Sequence, residues 1–331
     1  MQHTLSIITV TLNEAEHIAR LQQSIQQMQK PDHVSIETIL IDGGSTDATV
    51  EIATQSGYSN VVILPGATIP TCRNRGLKEA NGDWIAFVDG DCELASNWLR
   101  KATPYLESEP PCLIGWPVLP PENGTWIQKA WHMHWLYKNQ QVIRGKDITK
   151  DAFRLITTRN MLLRREVSEA LNGFDEKLPT GEDTDFVLRA YLNDIRVIAS
   201  PSLKVIHHGE PATLCEFFRQ QLWHANRNSY RKIIEATGGK IGGNAPKFTL
   251  AFLCSSALAL LGLLSIIFTS NILSLMLLLP IIMVTLGPAL LIGYRAKHLG
   301  AVIPLTIIYT LYGLARSVDM LGLNKHKKSW K

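Results

Sequence analysis

Short apolar runs alternate with longer amphipathic stretches through the first hundred residues. Leu5 to Thr11, Ser35 to Ile41, Asn60 to Leu64 and Trp84 to Val88 are rich in β-branched and apolar residues at strand length. The stretches between them, Glu14 to Met28, Asp47 to Ser56 and Thr71 to Ala80, repeat their apolar positions at helical spacing. Strand and helix alternating at this interval predict βαβ units and a mostly parallel sheet covered on both faces. In such sheets ligands collect beyond the carboxyl ends of the strands. Asn13, Asp42 and Asp89 each fall at a predicted strand end, so three polar side chains are expected to converge on one crevice.

The pattern changes twice along the chain. After Trp98 it becomes less regular, with Pro110-Pro111 and Pro120-Pro121 marking turns. The stretch WIQKAWHMHWLYKNQ, residues 126–140, reads as an amphipathic helix packed on the sheet or resting on a membrane interface; on a helix His132 and His134 point apart, against a metal site. From Phe248 to Tyr294 there is no Asp, Glu, Lys or Arg. A bilayer span needs about 20 apolar residues, and residues 248–269 and 272–294 each supply them, joined by the polar break Ser270-Asn271. A third apolar segment, 301–323, contains Arg316 and Asp319 and lies between two basic clusters, Arg295, Lys297 and His298 before it and NKHKKSWK after it. If it spans, one cluster falls on the wrong side of the membrane; an interfacial placement avoids this. Both placements stay open. The expected organisation is a soluble domain over residues 1–240 and a membrane domain over 241–331.

Composition adds little to this. The formal charge of +4 and hydrophobic fraction of 46% are averages over two unlike halves, nearly all acidic residues preceding about residue 240. Five cysteines without regular spacing read as reduced thiols in structural packing. The first residues carry no basic and apolar leader pattern, so the soluble part is expected on the cytoplasmic face of a cell membrane with the chain crossing it more than once. The basic clusters flank apolar segments, which points to anionic lipid as their partner and away from nucleic acid.

The chemistry gathers at WIAFVDGDCEL, residues 84–94. Two carboxylates, Asp89 and Asp91, separated by Gly90 at the end of an apolar strand, repel each other unless something positive compensates them. A divalent cation held by the second carboxylate and by a nucleotide's phosphates would do so; a solvated turn is the plain alternative. Four ordered stretches narrow the choice: SIITVTLNEAEHI, LIDGGSTDATVEIA, TCRNRGLKEANGDWIAFVDGDCELASNWL and GFDEKLPTGEDTDFVLRAY. Over about residues 4–235 their order and spacing resemble the family 2 inverting glycosyltransferases, whose catalytic domain has the GT-A fold, a Rossmann-like mixed α/β sheet.

The resemblance implies a nucleotide-sugar donor, a divalent metal (Mn or Mg) and inversion at the anomeric carbon. It implies donor contacts for Thr11, Asn13, Glu14, Asp42, Arg73 and Asp89, and a metal ligand in Asp91 with Asp89 nearby. It also implies a catalytic base in Asp183, supported by Glu182 and Asp185. Each has a plainer reading: Asp42 as a turn residue, Arg73 as a solvated helix residue, and the acids of Glu182-Asp183 as complements to a helix N-terminus. His207-His208 ends a probable strand from Leu203, and some family members place a metal-binding histidine there; His207 is preferred, with the strand register deciding between the two. Processive members carry QxxRW, whereas this chain reads Arg219-Gln220-Gln221-Leu222-Trp223, so a single sugar transfer is expected, with Trp223 and His224 on the acceptor side. The acceptor is expected to be lipid-linked or a membrane-proximal glycan, in exopolysaccharide or envelope synthesis. A polyprenyl-phosphate sugar synthase and a catalytically dead anchored binding module are the alternatives.

Overall fold

A computed structural model describes residues 2–138, 145–149, 152–178, 180–225, 234–235, 244–269 and 272–323. The Ser270-Asn271 break, the boundary expected at residue 240 and the basic tail NKHKKSWK lie outside the described residues. Packing divides the chain into two compact units, one formed within residues 1–122 and 144–210 and the other within 123–143 and 211–328.

The first unit is built on a seven-stranded mixed sheet. Its strands are β1 (His3–Thr11), β2 (Val34–Asp42), β3 (Asn60–Ile63), β4 (Trp84–Phe87), β6 (Cys112–Gly115), β7 (Met161–Arg164) and β8 (Arg196–Ala199), in the order β3-β2-β1-β4-β7-β6-β8. β1 runs parallel to β2 in register from His3 opposite Val34 to Thr11 opposite Asp42, and parallel to β4 from Leu5 opposite Trp84. β7 is antiparallel to both β4 and β6, which makes the sheet mixed. Separate from it, β5 (Cys92–Leu94) pairs antiparallel with β9 (Val205–His207), setting Cys92 opposite His207.

Local sequence explains the helices that frame the strand ends. α1 (Ile18–Gln26) buries Ile18, Leu21, Gln22 and Ile25, one stripe at helical spacing. It starts later than its apolar pattern suggests, because the backbone of residues 13–15 is drawn into bonds with the β2 turn. Asn13 N donates to Ser45 Oγ (2.8 Å), Glu14 N to Thr49 Oγ1 (2.8 Å) and Ala15 N to Asp47 Oδ2 (3.2 Å). α2 spans Thr49–Gln55. α3 (Ile69–Glu79) opens on Thr68, whose hydroxyl accepts from Thr71 N, with Pro70 in the first turn where a missing N–H costs nothing. α4 (Trp98–Leu106) is pinned by Trp98, whose Nε1 donates to the buried Asn160 Oδ1 (2.9 Å).

The second unit holds α5 (Trp126–Lys138), α8 (Leu214–His224) and the apolar helices α9 (Asn244–Thr269), α10 (Leu279–Arg295) and α11 (Val302–Met320); the short α6 (Arg165–Ala170) and α7 (Glu182–Leu192) belong to the first. Ile127, Ala130 and Trp131 of α5 and Phe217 of α8 form one buried cluster with Ala289, Ile292, Leu305, Ile308 and Tyr309. His134 stacks on Trp131 and its Nδ1 lies 2.8 Å from the Tyr309 hydroxyl. Residues 245–269, 272–295 and 299–320 are each long and apolar enough to cross a membrane, but in an apolar stretch of 18 residues within each, 44% of the third is buried within the protein against 17% of each of the others. Arg316 shows why: its Nη1 donates to the His224 carbonyl (3.2 Å) and its guanidinium lies 5.0 Å from the Tyr312 ring centre. Three apolar helices of this kind fit a membrane anchor.

Candidate active site

The carboxyl ends of β1, β2 and β4 carry the polar side chains the sequence places there. Asp42, fully buried, accepts from Gly44 N (2.9 Å) and Ser45 N (2.7 Å) at Oδ1, and from the Ser45 hydroxyl and Thr11 Oγ1 (3.3 Å) at Oδ2. Its carboxylate is thus engaged by its own turn and by Thr11. Asn13, in the left-handed region at φ 57°, accepts at Oδ1 from Thr46 N (2.9 Å). Thr11 and Asp42, the last residues of β1 and β2, and Asn13 and Glu14 just beyond β1 therefore belong to two strand ends whose following loops are fastened to each other.

The question raised by Asp89-Gly90-Asp91 has an answer in the protein's own charges. Each carboxylate has a separate cation: Arg73 Nη2 lies 3.5 Å from Asp89 Oδ1, and His207 Nε2 lies 3.1 Å from Asp91 Oδ1. Loss of solvent pushes the Asp89 carboxyl up, Arg73 opposes this and the Asp91 charge adds to it. Burial disfavours the charged form of His207, yet Asp91 and Glu210 outweigh it and raise the imidazole to about 10.

Arg73 joins this pair of acids to the helix that carries the other two. Its side chain is 6% exposed and its Nη1 is ion-paired with Glu182, itself 7% exposed at the start of α7. Burial pushes the Glu182 carboxyl up, to about 7, against the opposing pull of Arg73 and with a further push from Asp183. The helix begins where it does because Gly181 takes φ 78°, a left-handed conformation that suits a residue without Cβ. Asp183 follows, half-buried, its Oδ1 accepting from Thr184 N (2.6 Å). Asp185 is committed elsewhere, to Arg189 Nε at 2.8 Å. Removing one partner of a buried ion pair costs about 3–5 kcal/mol, so Arg73→Met is expected to lose about that much stability. Arg73→Met combined with Glu182→Leu is expected to recover part of it, since Glu182 is no longer left unpaired while Asp89 still lacks its cation, as thermal unfolding in detergent will report.

On the other side of Asp91, one ligand atom each from Asp91, Cys92 and His207 lies within 4.8 Å of the others. A carboxylate and an imidazole suit a divalent ion such as Mn²⁺. The Cys92 thiol is pushed well above its usual range by burial and by the two aspartates, so it enters this group protonated. His208 turns away to Glu93, with Nε2 2.9 Å from Oε2; the register that sets Cys92 opposite His207 settles which histidine faces Asp91. Trp223 and His224, with ring centres 4.7 Å apart, lie in the second unit.

Two residues that the sequence reading passed over complete the surroundings of His207. Glu210 Oε1 lies 3.2 Å from His207 Nδ1, and Arg159 Nη1 donates to the same oxygen at 2.6 Å. The spacing His207-x-x-Glu210 is a local signal that a search for carboxylates around His207 would have found. Arg159 has no such signal; it is placed by its neighbour Asn160, whose Nδ2 donates to the Trp116 and Leu203 carbonyls.

Residues 6–171, half of the chain, match the family model described as Glycosyl transferase family 2. The chain belongs to that family. The glycosyltransferase AglE of Haloferax volcanii is 26% identical over 262 residues, covering 73% of this chain and 82% of AglE. TarS of Staphylococcus aureus, a poly(ribitol-phosphate) β-N-acetylglucosaminyltransferase, is 23% identical over 58% of this chain, which spans only 33% of TarS. Among solved structures, the mannosyltransferase PcManGT of Pyrobaculum calidifontis, in complex with GDP-Man and Mn²⁺, superposes with a TM-score of 0.65 at 16% identity, covering 98% of this chain and 89% of that one. TarS residues 1–349 with UDP superpose with a TM-score of 0.52 at 17% identity, covering 98% and 93%. The first unit thus has the GT-A fold, and the protein is a family 2 glycosyltransferase with apolar helices at its C-terminal end.

Proposed function

We propose that this glycosyltransferase moves a single sugar from a nucleotide-sugar donor to a lipid-linked or membrane-proximal glycan acceptor, with inversion at the anomeric carbon. The observation that carries the reading is Arg73. One buried guanidinium pairs with both Asp89 and Glu182 and so holds the acids at the β4 end beside the start of α7. Thr11, Asn13, Glu14 and Asp42 form the donor side with Asp89, and Arg73 supports that side by fixing Asp89. Asp91 and His207 would hold a divalent metal, Mn²⁺ or Mg²⁺, which offsets charge on the departing diphosphate. Asp183 receives the proton of the attacking acceptor hydroxyl. The bond from the anomeric carbon to the diphosphate breaks with its electron pair leaving on the nucleotide, and the new bond forms on the opposite face. Glu182, locked to Arg73, positions Asp183 and does not itself take the proton.

The membrane part of the reading rests on charge. Arg295 ends α10 and Lys297 and His298 follow it, and a cytoplasmic place for them agrees with the positive-inside tendency. This puts the catalytic unit on the cytoplasmic face of the cell membrane, with α9 and α10 crossing as a hairpin. α11, packed on α5 and α8 and carrying Arg316, lies with them at the interface. Trp223 and His224, on α8, are then available to an acceptor borne by lipid. AglE and TarS are named as glycosyltransferases, TarS acting on poly(ribitol-phosphate), and a role in cell-envelope glycan assembly fits this company.

The test uses the protein in vesicles of total bacterial lipid with nucleotide sugars labelled in the sugar. Label passing into the organic-extractable phase as a product one sugar heavier than its acceptor is the expected result. Products of many sugars would overturn single transfer, and label released only to water would overturn the lipid-linked acceptor.

A further inference from the structure

The imidazole of His207 is gripped from both sides. Nε2 faces Asp91 Oδ1 at 3.1 Å, and Nδ1 faces Glu210 Oε1 at 3.2 Å, the second in ion-pair rather than straight hydrogen-bond geometry. Only the first of these contacts belongs to the carboxylate pair on the donor side. The second is made by a carboxylate whose side chain is 13% exposed and whose Oε1 also accepts from Arg159 Nη1 at 2.6 Å. Arg159 is itself fixed on two counts: Asn160 beside it is fully buried and bonded to three partners, and its own carbonyl accepts from Cys92 Sγ at 3.7 Å. The chain between the two residues packs against the same acid. A Cβ on Gly209 would lie 1.9 Å from Asp91 Oδ2, so any larger residue there would have to displace the Asp91 carboxylate from its present place beside residues 207–210.

Histidines that bind metals use one ring nitrogen for the metal and direct the other to a carboxylate or carbonyl, which sets the tautomer and the ring plane. We propose that Glu210, itself held by Arg159, is the positioning residue for His207, orienting its Nε2 toward a divalent cation shared with Asp91. The inference rests on the metal reading above and adds to it a second layer, Arg159 to Glu210 to His207. The competing role for the Arg159–Glu210 pair is a staple of the fold with no bearing on metal.

Mn²⁺ alone is the probe. The full chain in detergent is titrated with Mn²⁺, following loss of the free-ion electron paramagnetic resonance signal, and nitrogen modulation from a coordinated imidazole is read in the bound state. Wild type is expected to bind Mn²⁺ with that modulation present. Glu210→Gln is expected to bind about 10–100-fold more weakly, the range for loss of such an outer partner, with the modulation diminished. A chain carrying Arg159→Met and Glu210→Met together removes the buried pair without leaving a lone charge and is expected to behave alike, which guards against misfolding of the first variant. If either folded variant binds Mn²⁺ as tightly as wild type, or binds more weakly with the imidazole modulation intact, Glu210 does not position His207 and the metal reading stands. If wild type binds no Mn²⁺, the metal reading falls and this inference with it.

Discussion

Asp183→Asn is expected to lower the rate of sugar transfer by about 10²–10⁴-fold, the usual worth of a positioned general base, while leaving donor affinity unchanged. Asn keeps the shape of the side chain and the oxygen that accepts from Thr184 N and Oγ1, so α7 starts as before. What it lacks is a site for the acceptor's proton. The plainer reading of the acids in the first turn of α7 predicts something different. Charge complementing a helix N-terminus is worth about 0.3–1 kcal/mol of stability, so on that reading the variant melts slightly earlier and turns over normally. Steady-state rates and nucleotide affinity, measured on one preparation, separate the two.

Asp91→Asn is expected to abolish metal-dependent nucleotide binding, weakening it by more than about 100-fold, the upper end for losing an outer-shell partner alone. The effect is large because Asp91 is the carboxylate that His207 faces and around which residues 207–210 fold. Asn retains an oxygen that a neighbour's N–H can use, so the β5–β9 pairing, made through backbone groups, is expected to persist. Loss of metal-dependent binding without loss of fold is therefore the informative combination, and calorimetry with circular dichroism checks both halves.

Much of this arrangement was legible because it is local. Strand lengths, apolar periodicity and the polar residues just past each strand predict β1, β2 and β4 and place Asp42 and Asp89 at their ends, since in a parallel sheet the chain direction alone decides which ends carry the loops. The three apolar segments are visible by length, and the first two also by lack of charge. What was illegible depends on distant partners. Arg73 could be read as a candidate donor contact, but its pairing with Glu182, 109 residues later, follows only from how α3 and α7 meet. The sequence asked for positive charge beside Asp89 and Asp91 and suggested a metal; Arg73 and His207 supply protein cations for the same purpose. Glu210 is the local exception: it lies beyond the end of β9, where strand periodicity no longer says which way a side chain faces. Position along the chain also hid that α5 and α8 pack with the C-terminal helices, a division set by which apolar faces meet. Arg316 looked like an obstacle to a membrane helix and is accounted for by a carbonyl at the end of α8.

We propose that the acids at the end of β4, with His207, form a metal-assisted donor site. Calorimetric titration of UDP, GDP and dTDP into the full protein, with and without Mn²⁺ and with Asp91→Ala as the control, tests it most directly. One of the three nucleotides is expected to bind only when Mn²⁺ is present, and Asp91→Ala is expected to lose this binding. Binding that is indifferent to both Mn²⁺ and Asp91, or no binding of any nucleotide under either condition, would contradict it.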